Sequence, residues 1–319
     1  MIRRPIGHGK DIFWIGTKAS NNRKPSRCYR PRTRGRIPSR SLEQFREIQP
    51  IWAQTYVWRS SSVSHRFCPG QVDYEGSMAR DFNAGRVVSP HAQEAWRLAF
   101  EPYLGGARRV LDVGSGTGRF TVLVAQWFGV PVTGVEPASG MRRMAAMDGR
   151  HSEASYIGGR AERLPLQAST FDVALLSNVY HHISDRPSCA KELSRVLRSG
   201  GRVLIRGAFA GRLGEITLFD YFPEARLVCE QFPTLSETVE NFSASGFSFE
   251  TVRPVVQQTC SSLKELAART RLRADTTLAL LTDEEFWRRQ AALEDAAGRE
   301  ITPTPVIDTL DLLVLRKSD

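Results

Sequence analysis

No stretch of this chain approaches the roughly 18 consecutive apolar residues of a membrane-spanning helix, which excludes an integral helical membrane protein. No internal repeat is visible, and a secretory leader is not expected, because the first residues lack an apolar core segment. Cysteine is sparse. The five residues Cys28, Cys68, Cys189, Cys229 and Cys260 are odd in number, widely spaced and free of any C-x-x-C. That argues against a zinc site or a disulfide framework, and idle or buried thiols in a reducing cytoplasm are expected. A hydrophobic content of 41% with 9% aromatics excludes collagen-like and wholly disordered chains.

What is present in excess is positive charge, but only in one place. The net charge of the 319 residues is +10. Residues 1–77 carry 15 Lys+Arg and 5 Asp+Glu, whereas residues 78–319 carry 29 of each. Residues 1–40 alone hold twelve basic residues, one acid (Asp11) and four prolines, with no apolar period. Such a segment cannot bury enough apolar surface to offset its ordering entropy, so disorder is expected. An organelle transit peptide, a nucleic-acid-binding arm and an incidental extension ahead of a start at Met78 all fit its composition, and the last is the expectation. The domain division expected is therefore 1–71 as a basic extension and 72–319 as the folded domain.

From about residue 72, helical and strand patterns alternate. Ser89-Pro90 reads as a helix start, with Ala92, Ala95, Trp96, Ala99 and Phe100 on one face. Short strands are expected at 109–113, 130–136, 154–157, 171–177 and 202–207, with helices at 120–128, 139–147 and 186–197 between them. Five alternations with short connections predict an α/β fold with a parallel sheet covered on both faces. The C-terminal third reads as helices at 213–222, 235–245, 262–272 and 283–297 and strands at 247–256 and 310–316. Thr282 and Glu285 form a capping-box pattern.

The first strand runs directly into Gly114-Ser115-Gly116-Thr117-Gly118 and then a helix. This device aims backbone N–H groups at whatever lies beyond the carboxyl edge of the sheet. A dinucleotide fold wants G-x-G-x-x-G, but position 119 is Arg, and Asp112 precedes the loop inside the strand. Glu136 ends the second strand 18 residues past Gly118, where a carboxylate can accept both hydroxyls of a ribose.

Val110 to Phe120 (VLDVGSGTGRF) resembles the first motif of class I S-adenosylmethionine-dependent methyltransferases. Gly134 to Met141, Gly159 to Leu166, Phe171 to Asp185 and Glu192 to Ile205 resemble their remaining core motifs, in order. The likeness covers about residues 72–255 and is greatest to the small-molecule branch that includes quinone-type and natural-product enzymes. It implies a doubly wound, Rossmann-like sheet of five parallel strands plus an antiparallel terminal pair. It also implies that Gly114, Ser115, Gly116 and Gly118 wrap the methionine and ribose of S-adenosyl-L-methionine. Asp112 would orient that loop or meet the cofactor ammonium through water. Glu136 would take the ribose diol, Met141 would lie on the adenine, and Ala161-Glu162 would meet its amino group. Ser177 and Asn178 would border the methyl-donor pocket. Phe82-Asn83-Ala84-Gly85-Arg86 resembles a Tyr-Asp-x-x-Arg lead-in, so that Phe82 would cover the cofactor and Arg86 would pair with its carboxylate.

A small-molecule methyl acceptor and a cytoplasmic enzyme that needs no metal are expected. His181 and His182, the only adjacent histidine pair, follow the fourth strand at the carboxyl edge and are candidate general bases. Segments 209–245 and 257–306 are expected to form a lid, with Phe219, Tyr221, Phe222, Phe232 and Trp287 as its apolar lining. Arg269, Arg271 and Arg273 are expected to form a solvated face. An RNA-directed methyltransferase using the basic arm is the main alternative, disfavoured by the neutral charge of residues 78–319. A nicotinamide oxidoreductase and a non-catalytic cofactor binder are weaker ones.

Overall fold

The computed structural model describes residues 67–69 and 72–319, so the expectations for residues 1–66 lie outside the described residues. Helices α1 (Ser77–Gly85) and α2 (Pro90–Leu104) precede β1 (Val110–Val113), α3 (Arg119–Phe128), β2 (Val132–Glu136), α4 (Ser139–Asp148), β3 (Ala154–Gly158) and β4 (Phe171–Ser177). A 3-10 turn at Tyr180–His182 leads into α5 (Arg186–Val196) and β5 (Leu197–Gly207). There follow α6 (Leu218–Tyr221), α7 (Pro223–Cys229), α8 (Leu235–Ser243), β6 (Phe247–Cys260), α9 (Leu263–Thr270), α10 (Thr276–Ala279), α11 (Asp283–Gly298) and β7 (Val306–Lys317).

Local chemistry sets many of these boundaries. The Ser89 hydroxyl accepts from the Ala92 amide at 3.1 Å and Pro90 opens α2, which buries Ala92, Trp96, Ala99 and Phe100. Asp185 caps α5 through the Ser188 amide at 3.0 Å. Thr282 and Glu285 form the expected reciprocal box at the start of α11, and Thr234 with Glu237 forms another at α8.

The seven strands form one sheet in the order β3-β2-β1-β4-β5-β7-β6. Strands β1 to β5 are mutually parallel, and β7 lies antiparallel between β5 and β6. Because β6 is antiparallel to β7, it points the same way as the parallel strands. Its end at Cys260 and the start of β7 at Val306 are register partners. The insertion 261–305 therefore leaves and rejoins the sheet at the carboxyl edge, which is where an α/β sheet binds its ligand.

One apolar cluster packs α5 and α8 against the sheet through Leu193, Phe242, Leu313 and Leu315. A second packs α2 and α3 on the other side through Trp96, Phe100, Val124 and Val314. A third, with Phe222, Val228, Leu278, Phe286 and Leu293 at its centre, belongs to the C-terminal helices. Phe67 joins this third cluster, so packing reaches back into the segment expected to lie outside the fold.

Other expectations need correction. The helix expected over 213–222 is reduced to α6, because the chain before it runs along β7. The Thr309 amide donates to the Glu215 carbonyl at 2.7 Å, and a Cβ on Gly214 would sit 2.9 Å from Thr309. Helices α1 and α7 were not anticipated, and β6 and β7 are 14 and 12 residues long, well beyond the spans expected. Cys189, Cys229 and Cys260 are free and buried, but Cys68 is disulfide-bonded, unlike the idle thiol expected. Among the described residues no helix is long and apolar enough to cross a membrane.

Leu313 is fully buried and pairs with both Ile205 and Val252, so it joins the parallel sheet to its terminal pair. Leu313→Ala is expected to lower unfolding free energy by about 2–5 kcal/mol in denaturant titration. Val256→Ala, at an exposed site of β6, should change it by less than about 0.5 kcal/mol.

Candidate active site

The turn after β1 is built by close approach. Gly114 has φ +69°, and a Cβ there would lie 2.2 Å from the Val179 side chain, so no other residue fits without displacing the β4 loop. The Gly114 and Ser115 amides both donate to the Val135 carbonyl, at 2.7 and 3.2 Å, tying the loop to β2. The Glu136 carboxylate completes the tie. It accepts from the Gly116 amide at 3.0 Å and the Ala138 amide at 2.9 Å. Burial raises its carboxyl above the usual range, while those two amides oppose the shift.

Asp112 is buried below the loop and accepts from the Thr121 hydroxyl at 2.7 Å. Its carboxyl is pushed up to about 7 by burial, against the Thr121 bond and with the help of the Glu136 charge. Asn83 fastens α1 over the same turn, accepting from the Thr117 hydroxyl at 2.5 Å and donating to Asp148 at 2.9 Å. The Glu75 carboxylate caps α4 through the Ser139 and Gly140 amides at 2.8 and 2.7 Å.

Above the loop lies a cavity of about 380 Å³. It brings together twelve residues singled out from the sequence: Phe82, Arg86, Asp112, Gly114, Ser115, Gly116, Glu136, Met141, Ser177, Asn178, His181 and His182. Three others are placed elsewhere. Gly118 is the left-handed cap of α3, where a Cβ would strike Tyr156 at 2.3 Å. Ala161 packs against the first core cluster. Glu162 accepts from the Ser184 hydroxyl at 3.2 Å and faces Arg160 at 3.6 Å. Arg86 is paired with Asp275 inside the cavity wall. Burial works against the Asp275 charge, but the Arg86 guanidinium and the Thr277 hydroxyl and amide hold its carboxyl below the usual range.

The two histidines differ. His181 is stacked on Phe232, with ring centroids 4.0 Å apart, and burial drives its imidazole well below its ordinary value. His182 Nε2 lies 3.1 Å from the Tyr74 hydroxyl and 3.2 Å from the Thr276 hydroxyl, which are themselves 2.6 Å apart. Burial lowers its imidazole to about 4, with Asp275 opposing, and raises the Tyr74 phenol to about 12.

Of the expected lid residues, Phe219 and Phe232 line the cavity. Phe222 is instead wholly buried in the third cluster, Tyr221 packs against that cluster, and Trp287 is 51% exposed. Arg269, expected on a solvated face, also lines the cavity, bonding the Thr259 carbonyl at 2.8 Å and pairing with Glu265. Arg271 and Arg273 form ion pairs with Glu294 and Asp283.

Sequence reasoning missed Tyr74, Arg119, Arg206, Gln257, Asp275 and Asp308, all of which line the cavity. One signal was available: Arg206 directly follows the buried apolar run Val203-Leu204-Ile205, and a charge continuing a buried run demands a reason.

The cavity fits a bound adenosylmethionine on observations of its own. The loop backbone, the Glu136 carboxylate and a buried Ser115 hydroxyl without a hydrogen-bond partner share one wall. These features, with the sheet order, resemble those of class I S-adenosylmethionine-dependent methyltransferases, and the residues present suit S-adenosyl-L-methionine as the group held there. Residues 111–205 match the family described as methyltransferase domain. The chain is similar to the ubiquinone/menaquinone biosynthesis C-methyltransferase UbiE of Syntrophotalea carbinolica, with 34% identity over 125 residues, covering 38% of this chain and 53% of the relative. It is also similar to the O-methyltransferase resE of Aspergillus sclerotiorum, with 28% identity over 214 residues, covering 60% and 78%. A crystal structure from Anabaena variabilis, of a protein described as a methyltransferase from an antibiotic biosynthesis pathway, shares the fold. Its TM-score is 0.59 at 21% identity, covering 72% of this chain and 98% of that one. The chain spans about half the length of several curated relatives it matches.

Removing the Glu136 carboxylate frees two loop amides, each bond worth about 1 kcal/mol net. Glu136→Ala is expected to weaken S-adenosylhomocysteine binding by roughly 10–100-fold in calorimetry, with Glu136→Gln falling between it and wild type.

Proposed function

We propose that the protein transfers a methyl group from S-adenosyl-L-methionine to a small organic acceptor held in the same cavity. The observation that carries this reading is the cavity's composition. One wall is the glycine loop with Glu136, and the other is apolar and aromatic, formed by Ile216, Leu218, Phe219, Phe232 and Leu278 from the segments that follow β5 and β6. A largely apolar pocket with a few convergent polar groups suits a small molecule better than a polymer.

The cofactor supplies a methyl group already activated on a sulfonium, so the protein's task is alignment, exclusion of water and handling of one proton. Gly114, Ser115 and Gly116 with Glu136 would fix the amino-acid and ribose parts, and Phe82 and Met141 would close on them. Holding donor and acceptor in line within one pocket is the principal catalytic contribution expected, since well-oriented pairs reach effective molarities of ~10⁵ M or more. The insertion 261–305 supplies Leu266, Thr270, Ala274 and Leu278 to the wall, which supports its role in shielding the reaction from water.

An oxygen or nitrogen acceptor must lose a proton. Of the two histidines, His182 is the better base candidate, because its ring nitrogen is engaged by hydroxyls of the cavity wall whereas the His181 ring is stacked on Phe232. At pH 7 the His182 imidazole is neutral and able to accept, with the Tyr74 hydroxyl positioned to relay the proton to Nε2.

Calorimetry with S-adenosylhomocysteine and with NAD tests the reading. Binding of the first is expected, and binding of NAD alone would overturn it. For turnover of an oxygen or nitrogen acceptor, His182→Gln is expected to lower kcat by roughly 10²-fold or more while leaving S-adenosylhomocysteine affinity within about threefold. An unchanged kcat removes the base role. The burial of His182 also has a stability signature. Its folded value is depressed to about 4 from an ordinary 6.5, so between these pH values the unfolded chain binds the extra proton. This group's contribution is present in full above pH 6.5 and is lost as pH falls toward 4, by up to about 3 kcal/mol. His182→Gln should flatten that part of the stability–pH curve.

A further inference from the structure

We propose that Arg206 is the anchor for a carboxylate of the methyl acceptor, so that the preferred substrates are small organic acids. The proposal rests on the methyltransferase reading above and names the substrate class of the same cavity.

Arg206 lies near the end of β5, in register with Ser177 of β4, and lines the cavity although only 6% of its surface is exposed. Its guanidinium sits over the rings of Trp96 and Phe120, 4.5 and 4.8 Å from their centroids. Its polar contacts are long and to neutral groups: Ser177 Oγ at 3.4 Å and Gln257 Oε1 at 3.5 Å. Gln257 Oε1 already accepts from the Trp96 indole at 2.7 Å, and Arg206 Nε has no hydrogen-bond partner. Among the described residues no carboxylate lies within ion-pair distance of Arg206. A buried guanidinium left in this state is costly unless an anion completes it. The aromatic faces hold the cation in place but offer it no oxygen.

The cofactor does not meet this demand. A second cavity arginine, Arg119, also lacks an ion-pair partner among the described residues. It opens α3 beside the glycine loop, with its guanidinium 4.9 Å from the Phe82 ring centroid. Its place next to the loop that the resemblance assigns to the cofactor's methionine makes Arg119 the cation assigned to the cofactor's carboxylate. S-adenosylmethionine brings one carboxylate but two positive groups, its ammonium and its sulfonium. Binding it therefore uses one arginine and adds net positive charge to the cavity. Arg206, with no carboxylate within ion-pair distance among the described residues, is left to be met from the acceptor's side. A monoanion fits, since Asp112, Glu136 and Asp308 line the same cavity and disfavour a dianion such as a phosphate monoester. A planar carboxylate also matches the guanidinium fork.

The test uses the full chain saturated with S-adenosylhomocysteine and probes it with benzoate and with uncharged benzamide by calorimetry. Benzoate is expected to bind at least about tenfold more tightly than benzamide, and Arg206→Met to erase that preference. In parallel, S-adenosylhomocysteine is compared with its decarboxylated analogue. Arg119→Met should abolish discrimination between the two, and Arg206→Met should retain it. Equal binding or no binding of the two probes by the loaded wild-type protein overturns the proposal without any variant. Loss of discrimination against the decarboxylated analogue in Arg206→Met also overturns it, by assigning that cation to the cofactor. Failure of S-adenosylhomocysteine itself to bind strikes the methyltransferase reading instead, so the two failures are distinguishable.

Discussion

The backbone of the turn after β1 passes so near Val179 that a single methyl group at Gly114 would collide with it. Much of the site depends on that approach. It brings the loop that follows β1 against the loop that follows β4, so residues from both strands share one rim. The Val135 carbonyl and the Glu136 carboxylate then hold the loop amides from the β2 side. Three strand ends are thereby locked together at the carboxyl edge, where the parallel arrangement leaves a crevice.

The second structuring element is the direction of β6. Had it run opposite to the parallel strands, the long insertion would emerge at the far edge of the sheet. Because β7 is the antiparallel strand and lies inside β6, the insertion opens at the ligand edge and closes over it. The third apolar cluster is the consequence. It gives those helices a core of their own around Phe222, Phe286 and Leu293, so the cavity wall is a packed structure rather than a loose flap.

Charge in the cavity is arranged with the same economy. Arg86 and Asp275 neutralise each other, and Arg269 is occupied by Glu265. Arg119 and Arg206 stand over aromatic rings instead. Asp112 and Glu136 line the same cavity, where burial raises both carboxyls and a cationic ligand would favour their charged forms. A site with paired charges in its frame and unpaired ones at its surface is set up to exchange internal repulsion for ligand contacts.

The sequence determined the parallel core, the glycine loop, Glu136 and the capped helices α2 and α11, because these depend on periodicity and on contacts between residues close along the chain. It also marked the basic segment 1–77 as distinct in composition from the balanced remainder. Tertiary structure alone decided that hydroxyls engage the His182 ring, since Tyr74 and Thr276 reach it from 108 and 94 residues away. It decided that Arg86 pairs with Asp275, 189 residues distant, and that Arg206 has no carboxylate within ion-pair distance among the described residues. It also shortened the expected helix over 213–222 to α6, with the residues before it running beside Thr309. Short-range patterns fix what each segment becomes. Only the closing of the chain on itself fixes which side chains share a cavity, because neighbours there are separated by whole strands and helices.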